Sequence, residues 1–200
     1  MTRLAVLISG TGTNLQAIID ASASGQLDAE VALVISSRPD AAGLQRAAAA
    51  GIQTVSLSRA VYIEPRAADQ LIAEQVSAAG CDYIALAGYM RKIGPELVEA
   101  FPQRVINLHP ALLPAFKGAQ AIAEAYAYGV KVTGVTVHFV DAQYDTGPII
   151  AQRAIAVPEG QGLEQLTERI HAVEHQLYPE VLQLLSQGRV EVIGKNVHIH

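Results

Sequence analysis

One cysteine in 200 residues, Cys81, leaves no intrachain disulfide to form and fits a reducing compartment. No uninterrupted apolar run reaches the roughly 18 residues that a membrane-spanning helix needs. Positive charge is scarce as well: 14 Lys and Arg stand against 19 Asp and Glu, for a net charge of −5. A general nucleic-acid binder needs a basic face that this balance does not supply, although a local basic pocket for a small anion stays open. No repeat, low-complexity tract or linker interrupts the chain. Met1-Thr2-Arg3 runs straight into a strand-like segment without a cleavage-site pattern, which reads as no signal peptide and as a cytoplasmic protein. Apolar residues, by contrast, make up 50% of the chain, enough for a substantial core in one domain spanning 1–200.

The apolar residues come in short blocks. Leu4–Ile8, Val31–Ile35, Tyr83–Leu86 and Val105–Leu108 read as buried strands, with a further short one at Thr54-Val55. Between them the spacing predicts helices over Asn14–Ser24 and Ala42–Ala50. Another starts at Pro65, whose missing N–H costs nothing at a first helical position, and a short one covers Glu96–Phe101. Strands alternating with helices in this way predict an α/β fold with a doubly wound, mostly parallel sheet, Rossmann-like in its N-terminal half. After Pro114 the pattern changes. A helix over Ala119–Tyr128 leads to a long strand, Val132–Val140, with Val135, Val137 and Phe139 on one face and Thr136 and His138 on the other. A turn at Asp145-Thr-Gly-Pro148 leads to Ile149–Val157. The long helix that follows should kink at Pro179, and two strand-like runs end the chain. The C-terminal half is therefore expected to be mixed and partly antiparallel.

In open parallel sheets, ligands bind beyond the carboxyl ends of the strands, at the switch in strand order. Three polar segments fall there: Ser9–Asn14, Gly88–Arg91 and Asn107–His109. The first, Ser9-Gly-Thr-Gly-Thr-Asn14, lacks the third glycine of a dinucleotide fingerprint, and Ser36-Ser37 supplies no acidic residue for a ribose. A helix N-terminus behind small residues suits a monophosphate instead. In the third, Asn107 and His109 are two residues apart on a strand and face the same way, and Pro110 ends the strand. Together with Asp145 they supply an oxyanion donor, a titrating group and a carboxylate to tune it, which is a set for acyl transfer. Read singly, each has a structural alternative. His109 could be a core histidine, Asp145 a turn cap, and His138 a structural hydrogen-bonding group. His171 and His175 have metal-ligand spacing but no third ligand, which favours a solvated helix face. Glu174 could face solvent or a cleft, and Arg66 and Arg91 are candidate anion contacts.

Several longer stretches point to a family. Ile8-Ser-Gly-Thr-Gly-Thr-Asn-Leu-Gln16, Leu86-Ala-Gly-Tyr-Met-Arg91, Ile106-Asn-Leu-His-Pro-Ala-Leu-Leu-Pro114, Gly134–Val140, Tyr144-Asp-Thr-Gly-Pro148 and Glu174–Pro179 span most of the chain. In this order they resemble the folate-dependent phosphoribosylglycinamide formyltransferases of purine synthesis. The resemblance implies transfer of a formyl group from 10-formyltetrahydrofolate to the glycine amine of phosphoribosylglycinamide, with Asn107, His109 and Asp145 catalytic. It implies that Gly12, Thr13 and Asn14 hold the substrate phosphate and that Glu174 contacts the ribosylglycinamide. It further implies a folate pocket of Met90, Arg91, Lys92 and Ile93 with Asn107, Val140, Asp141 and Asp145, and Arg66 near an anionic end of the folate. Ala142 departs from a commonly acidic position, and Lys117 and Gln120 fall in a variable loop.

On this reading Asn107 and a protonated His109 stabilise the tetrahedral oxyanion, and Asp145 raises the histidine pKa by favouring its charged form. No metal is required, since the imidazolium supplies the positive charge. The partners are small molecules, with no nucleic acid and no membrane; the sequence does not choose between a monomer and a homodimer. The rival readings are a formyltetrahydrofolate hydrolase, a methionyl-tRNA formyltransferase and a non-catalytic domain that binds a phosphorylated metabolite. The tRNA enzyme would need a further nucleic-acid-binding domain and a basic surface.

Overall fold

A computed structural model describes residues 1–141 and 143–200, with only the backbone of Pro65. Ala142, the departure noted above, lies outside the described residues. Seven strands form one sheet: β1 (Thr2–Ile8), β2 (Ala29–Ser36), β3 (Gln53–Ser56), β4 (Tyr83–Leu86), β5 (Val105–His109), β6 (Val132–Phe139) and β7 (Ile149–Ala156), in the order β3-β2-β1-β4-β5-β6-β7. The pairings from β3 through β5 are parallel, and β5–β6 and β6–β7 are antiparallel. The α/β sheet is thus mostly parallel with a mixed C-terminal half, as the sequence predicts. The last two strands, β8 (Val190–Ile193) and β9 (Asn196–Ile199), pair as a separate hairpin.

Six α-helices complete the described fold: α1 (Thr13–Ala23), α2 (Ala42–Ala49), α3 (Pro65–Ala78), α4 (Pro95–Ala100), α5 (Ala121–Tyr128) and α6 (Leu163–Ser186). A 3-10 turn over Arg59–Ile63 has no counterpart in the sequence reading. The helices cover both faces of the sheet. On one side Leu4, Val6 and Ile8 of β1 pack with Leu15 and Ile18 of α1 and with Ile170, Leu177 and Val181 of α6. On the other, Ala5 and Leu7 pack with Ile72 and Val76 of α3 and Leu97 of α4. This two-sided burial is why the strands read as apolar runs instead of alternating ones.

The order of strands reverses beside β1, where β4 departs opposite to β2, so the crevice at their carboxyl ends faces β1, β4 and β5. Helix α6 runs unbroken through Pro179, and it contributes the residue that ties this crevice together. Tyr178 is fully buried, and its hydroxyl lies 3.1 Å from the Leu86 carbonyl of β4 and 3.0 Å from the Ile106 carbonyl of β5. A single proton shared between two carbonyls fixes the spacing of the two strands that carry site loops. Tyr178→Phe removes only the hydroxyl and leaves those carbonyls without their partner, an expected cost of about 1–2 kcal/mol. In a chain of this size the thermal midpoint should fall by roughly 2–8 °C; an unchanged midpoint would show that the hydroxyl does not brace the strands.

Candidate active site

Antiparallel pairing of β5 with β6 sets Asn107 directly opposite His138 and His109 opposite Thr136. Residues opposite one another share a face, so the outward alternation of β5 and β6 puts two histidines and an asparagine in one patch. The Asn107 Nδ2 lies 3.2 Å from the His138 Nε2, and the His138 Nδ1 lies 2.8 Å from the Phe139 carbonyl. A carbonyl can only accept, so the His138 Nδ1 carries a proton, while Nε2 faces both the Asn107 amide and the Asp145 carboxylate. The Asn107 amide has two N–H groups, so at least one remains for another acceptor. Thr136 anchors the following segment, donating to the Ala111 carbonyl at 2.7 Å and accepting from the Leu113 N–H at 3.1 Å.

Asp145 enters from the β6–β7 connection. It adopts φ 52°, a left-handed conformation that aspartate tolerates better than most residues. Two residues on, any Cβ at Gly147 would collide with the Phe139 carbonyl, so the turn accepts only glycine there. The tight turn delivers a carboxylate that is 6% exposed onto both imidazoles. Its Oδ2 lies 3.5 Å from the His109 Nδ1 and its Oδ1 3.7 Å from the His138 Nε2, and Oδ2 also accepts from the Gly118 N–H at 3.0 Å. Burial opposes ionisation of Asp145, but His138, the Gly118 amide and His109 outweigh it and hold the carboxyl below its ordinary range.

His109 itself is buried, with its Nε2 2.8 Å from the Phe116 carbonyl. Both ring nitrogens therefore face acceptors, an arrangement that favours the doubly protonated ring. Burial nevertheless wins: it pulls the pKa below 6.5, while the Phe116 carbonyl and Asp145 push in the opposite direction. The expectation of a raised histidine pKa is corrected here. Asp145 acts with the anticipated sign, but desolvation in the closed patch is the larger effect.

Two cavities meet at Asn107. The larger, about 700 Å³, is lined by the Ser9–Asn14 loop, by Met90, His109 and Gly118, and by His171 and Glu174 of α6. At its floor α1 begins with Gly12 in the left-handed region (φ 72°), packed against Gly43 too closely for a Cβ. No side chain caps this helix, and its first N–H groups have no acceptor within the helix. Glu174 faces the cleft, not solvent. It is 5% exposed, accepts from the Asn14 Nδ2 at 3.0 Å, and is pushed upward in pKa by burial. The Asn14 Oδ1 is buried with no partner. The smaller cavity, about 50 Å³, is lined by Arg91, Lys92, Ile93, Val140, Asp141 and Asp145, among others. Arg66 lines neither cavity; its largely exposed side chain pairs with Glu96 at 2.7 Å. Among the described residues no cluster of three or more His, Cys, Asp or Glu is placed to hold a metal ion.

The sequence profile of the family described as formyl transferase matches residues 2–182. The chain belongs to this family. The formyltransferase is 44% identical to the phosphoribosylglycinamide formyltransferase of Bacillus subtilis (strain 168) over 185 residues, 92% of this chain and 95% of that protein. It is 42% identical over 197 residues to the trifunctional purine biosynthetic protein adenosine-3 of Bos taurus, covering 98% of this chain but 19% of that longer protein. Among solved structures, glycinamide ribonucleotide transformylase 1 from Symbiobacterium toebii superposes with a TM-score of 0.97 at 49% identity, covering 100% of this chain and 94% of that one.

Within this formyltransferase, sequence reasoning left two neighbours of the site aside. The sequence favours a structural hydrogen bond for His138, and the structure places its ring against both Asn107 and Asp145. The available signal was its place on the Thr136 face, but only the β5–β6 register puts it opposite Asn107. His171, set down as a solvated helix residue, lines the larger cavity one turn before Glu174. Two titrations follow from the electrostatics. In Asp145→Asn the carboxylate that favours charged His109 is gone, so the His109 pKa should fall further, as read from the ring protons by NMR; an unmoved value would show no coupling. Because folded His109 sits below 6.5, the unfolded chain binds more protons just under that pH, and stability should drop as pH falls through the window. His109→Gln should flatten the dependence of the thermal midpoint between about pH 7 and pH 5, and an equally steep curve in the variant would contradict this.

Proposed function

We propose that this formyltransferase carries a formyl group from 10-formyltetrahydrofolate to the glycine amine of 5'-phosphoribosylglycinamide, in the cytoplasm. The observation that carries the reading is the seam between two cavities. Asn107 lines both of them, His109 and Asp145 flank it, and one cavity opens on an uncapped helix N-terminus. The phosphate of the amine substrate fits the N–H groups of Gly12, Thr13 and Asn14. The ribosylglycinamide then lies along Glu174 and the orphaned Asn14 Oδ1, acceptors for its hydroxyl and amide donors. The donor occupies the other side, along Arg91, Lys92, Ile93, Val140 and Asp141, and reaches Met90 at the wall between the two cavities. A cavity of about 50 Å³ has room for a few waters and not for a bicyclic ring, so seating the donor requires its lining at Val140, Asp141 and Gln143–Asp145 to shift.

The chemistry uses the geometry directly. The amine nitrogen attacks the formyl carbon, and the carbonyl oxygen takes up negative charge. The free N–H of Asn107 donates to that oxygen. His109, its pKa lowered by burial, accepts at Nε2 the proton lost by the attacking amine, directly or through a water, while Nδ1–H stays directed at Asp145. The imidazolium so formed is stabilised by Asp145 and returns its proton to the departing folate nitrogen as the carbon–nitrogen bond breaks. The Phe116 carbonyl must release the His109 Nε2 before that nitrogen can serve.

Tetrahydrofolate release, followed spectroscopically with and without phosphoribosylglycinamide, tests the reading. Release that requires the amine supports transfer, release without it supports a hydrolase, and no release supports a binding domain. His109→Asn should lower turnover by about 10²–10⁴-fold with the fold retained, and near-normal turnover would refute the role.

A further inference from the structure

Residues 88–94, between β4 and α4, form no helix or strand. This segment separates the two cavities: Tyr89 lines both, Met90 faces the larger, and Arg91, Lys92 and Ile93 face the smaller. Without ladder hydrogen bonds its shape depends on side chains from elsewhere. Three such attachments are present. The Met90 N–H donates to the Ser9 Oγ at 2.8 Å, and Ser9 Oγ is itself 2.6 Å from the Ser37 Oγ. At the far end the Gly94 N–H donates to the buried Asp69 Oδ2 at 2.7 Å. In the middle the Tyr89 hydroxyl lies 2.8 Å from the Tyr62 hydroxyl, and the Arg91 guanidinium stacks 4.6 Å above the Tyr62 ring.

Tyr62 thus makes two different contacts with one segment. It sits in the 3-10 turn Arg59–Ile63, nearly thirty residues upstream, and lines neither cavity itself. Burial raises the pKa of both phenols, so both stay neutral and one can donate to the other. We propose that Tyr62 is a positioning residue for the formyl donor: its hydroxyl fixes Tyr89, its ring face fixes Arg91, and together they set the shape of the wall along the donor pocket. Losing either contact loosens that wall without touching Asn107, His109 or the phosphate loop. The effect belongs in recognition of the donor, not in the chemical step or in binding of the amine. This rests on the donor lying along residues 90–93.

The test is steady-state kinetics with both substrates varied, with thermal midpoints as a control. Tyr62→Phe keeps the ring for Arg91 and loses only the hydroxyl; Tyr62→Leu loses both contacts. Tyr62→Phe should raise the KM for the donor roughly two- to tenfold, the range one net hydrogen bond supports. Tyr62→Leu should raise it further, since a cation–π contact goes as well. In both variants kcat and the KM for the amine should hold. The double variant Tyr62→Phe/Tyr89→Phe should be no worse than the more affected single variant, because the two hydroxyls serve one bond. Arg91→Ala separates the two levels of the argument. If it raises the donor KM while Tyr62→Leu does not, the role of Tyr62 is overturned and the donor site stands. If neither moves it, the donor site itself is wrong. A fall in kcat with both KM values and the thermal midpoint shifting together would make Tyr62 merely structural and overturn the proposal.

Discussion

The site is organised around one buried carboxylate. Asp145 sits between His109 and His138, holds the Gly118 N–H, and is almost without contact with water. A buried charge must be compensated by partners, and here the partners are two imidazoles and a loop amide that meet at the boundary of the two cavities. Its position in turn depends on the antiparallel register of β5 with β6 and on a turn whose Gly147 lies against the Phe139 carbonyl. If that turn shifts, the carboxylate loses both imidazoles at once.

The same contacts explain how the cleft can be both closed and usable. The 115–119 loop is tied to the site at two points, by the Phe116 carbonyl on His109 and by the Gly118 N–H on Asp145. Phe116 also packs edge-on against Tyr128 of α5, with ring centroids 5.9 Å apart. These contacts satisfy the buried polar groups and exclude water, which is why desolvation governs the His109 pKa. A buried imidazole beside a buried carboxylate is suited to take up a proton, because the carboxylate stabilises the charge when it appears. The sheet contributes rigidity: α6, through the Tyr178 hydroxyl, braces β4 and β5, whose ends lead into cavity-lining segments.

Much of this was legible in the residues. The apolar blocks locate the strands because both faces of the sheet are buried. Asn107 and His109 announce themselves because two polar side chains two apart on a strand share a face. The Ser9–Asn14 loop was legible as a cavity wall because its small residues join a strand end to a helix start. What was not legible depends on pairing between segments distant in the chain. His138 becomes a neighbour of Asn107 only through a cross-strand register. The sequence identifies a charged partner for His109 but not how thoroughly the pair is buried, and burial outweighs the partner. The salt bridge of Arg66 to Glu96 joins α3 to α4 and cannot be foreseen from α3 alone. The 3-10 turn carrying Tyr62 has neither the length nor the periodicity to be seen.

The central claim is that Asn107, His109 and Asp145 surround the reacting carbon at the seam of the two cavities. The most direct measurement is a crystal structure with a folate analogue and the phosphorylated amine bound together. It should find the formyl-equivalent oxygen about 2.6–3.2 Å from the Asn107 Nδ2, the amine nitrogen within direct or one-water reach of His109, and the Asp145–His109 pair intact. An analogue whose carbonyl lies beyond reach of both side chains, or a phosphate bound away from Gly12–Asn14, would contradict the account.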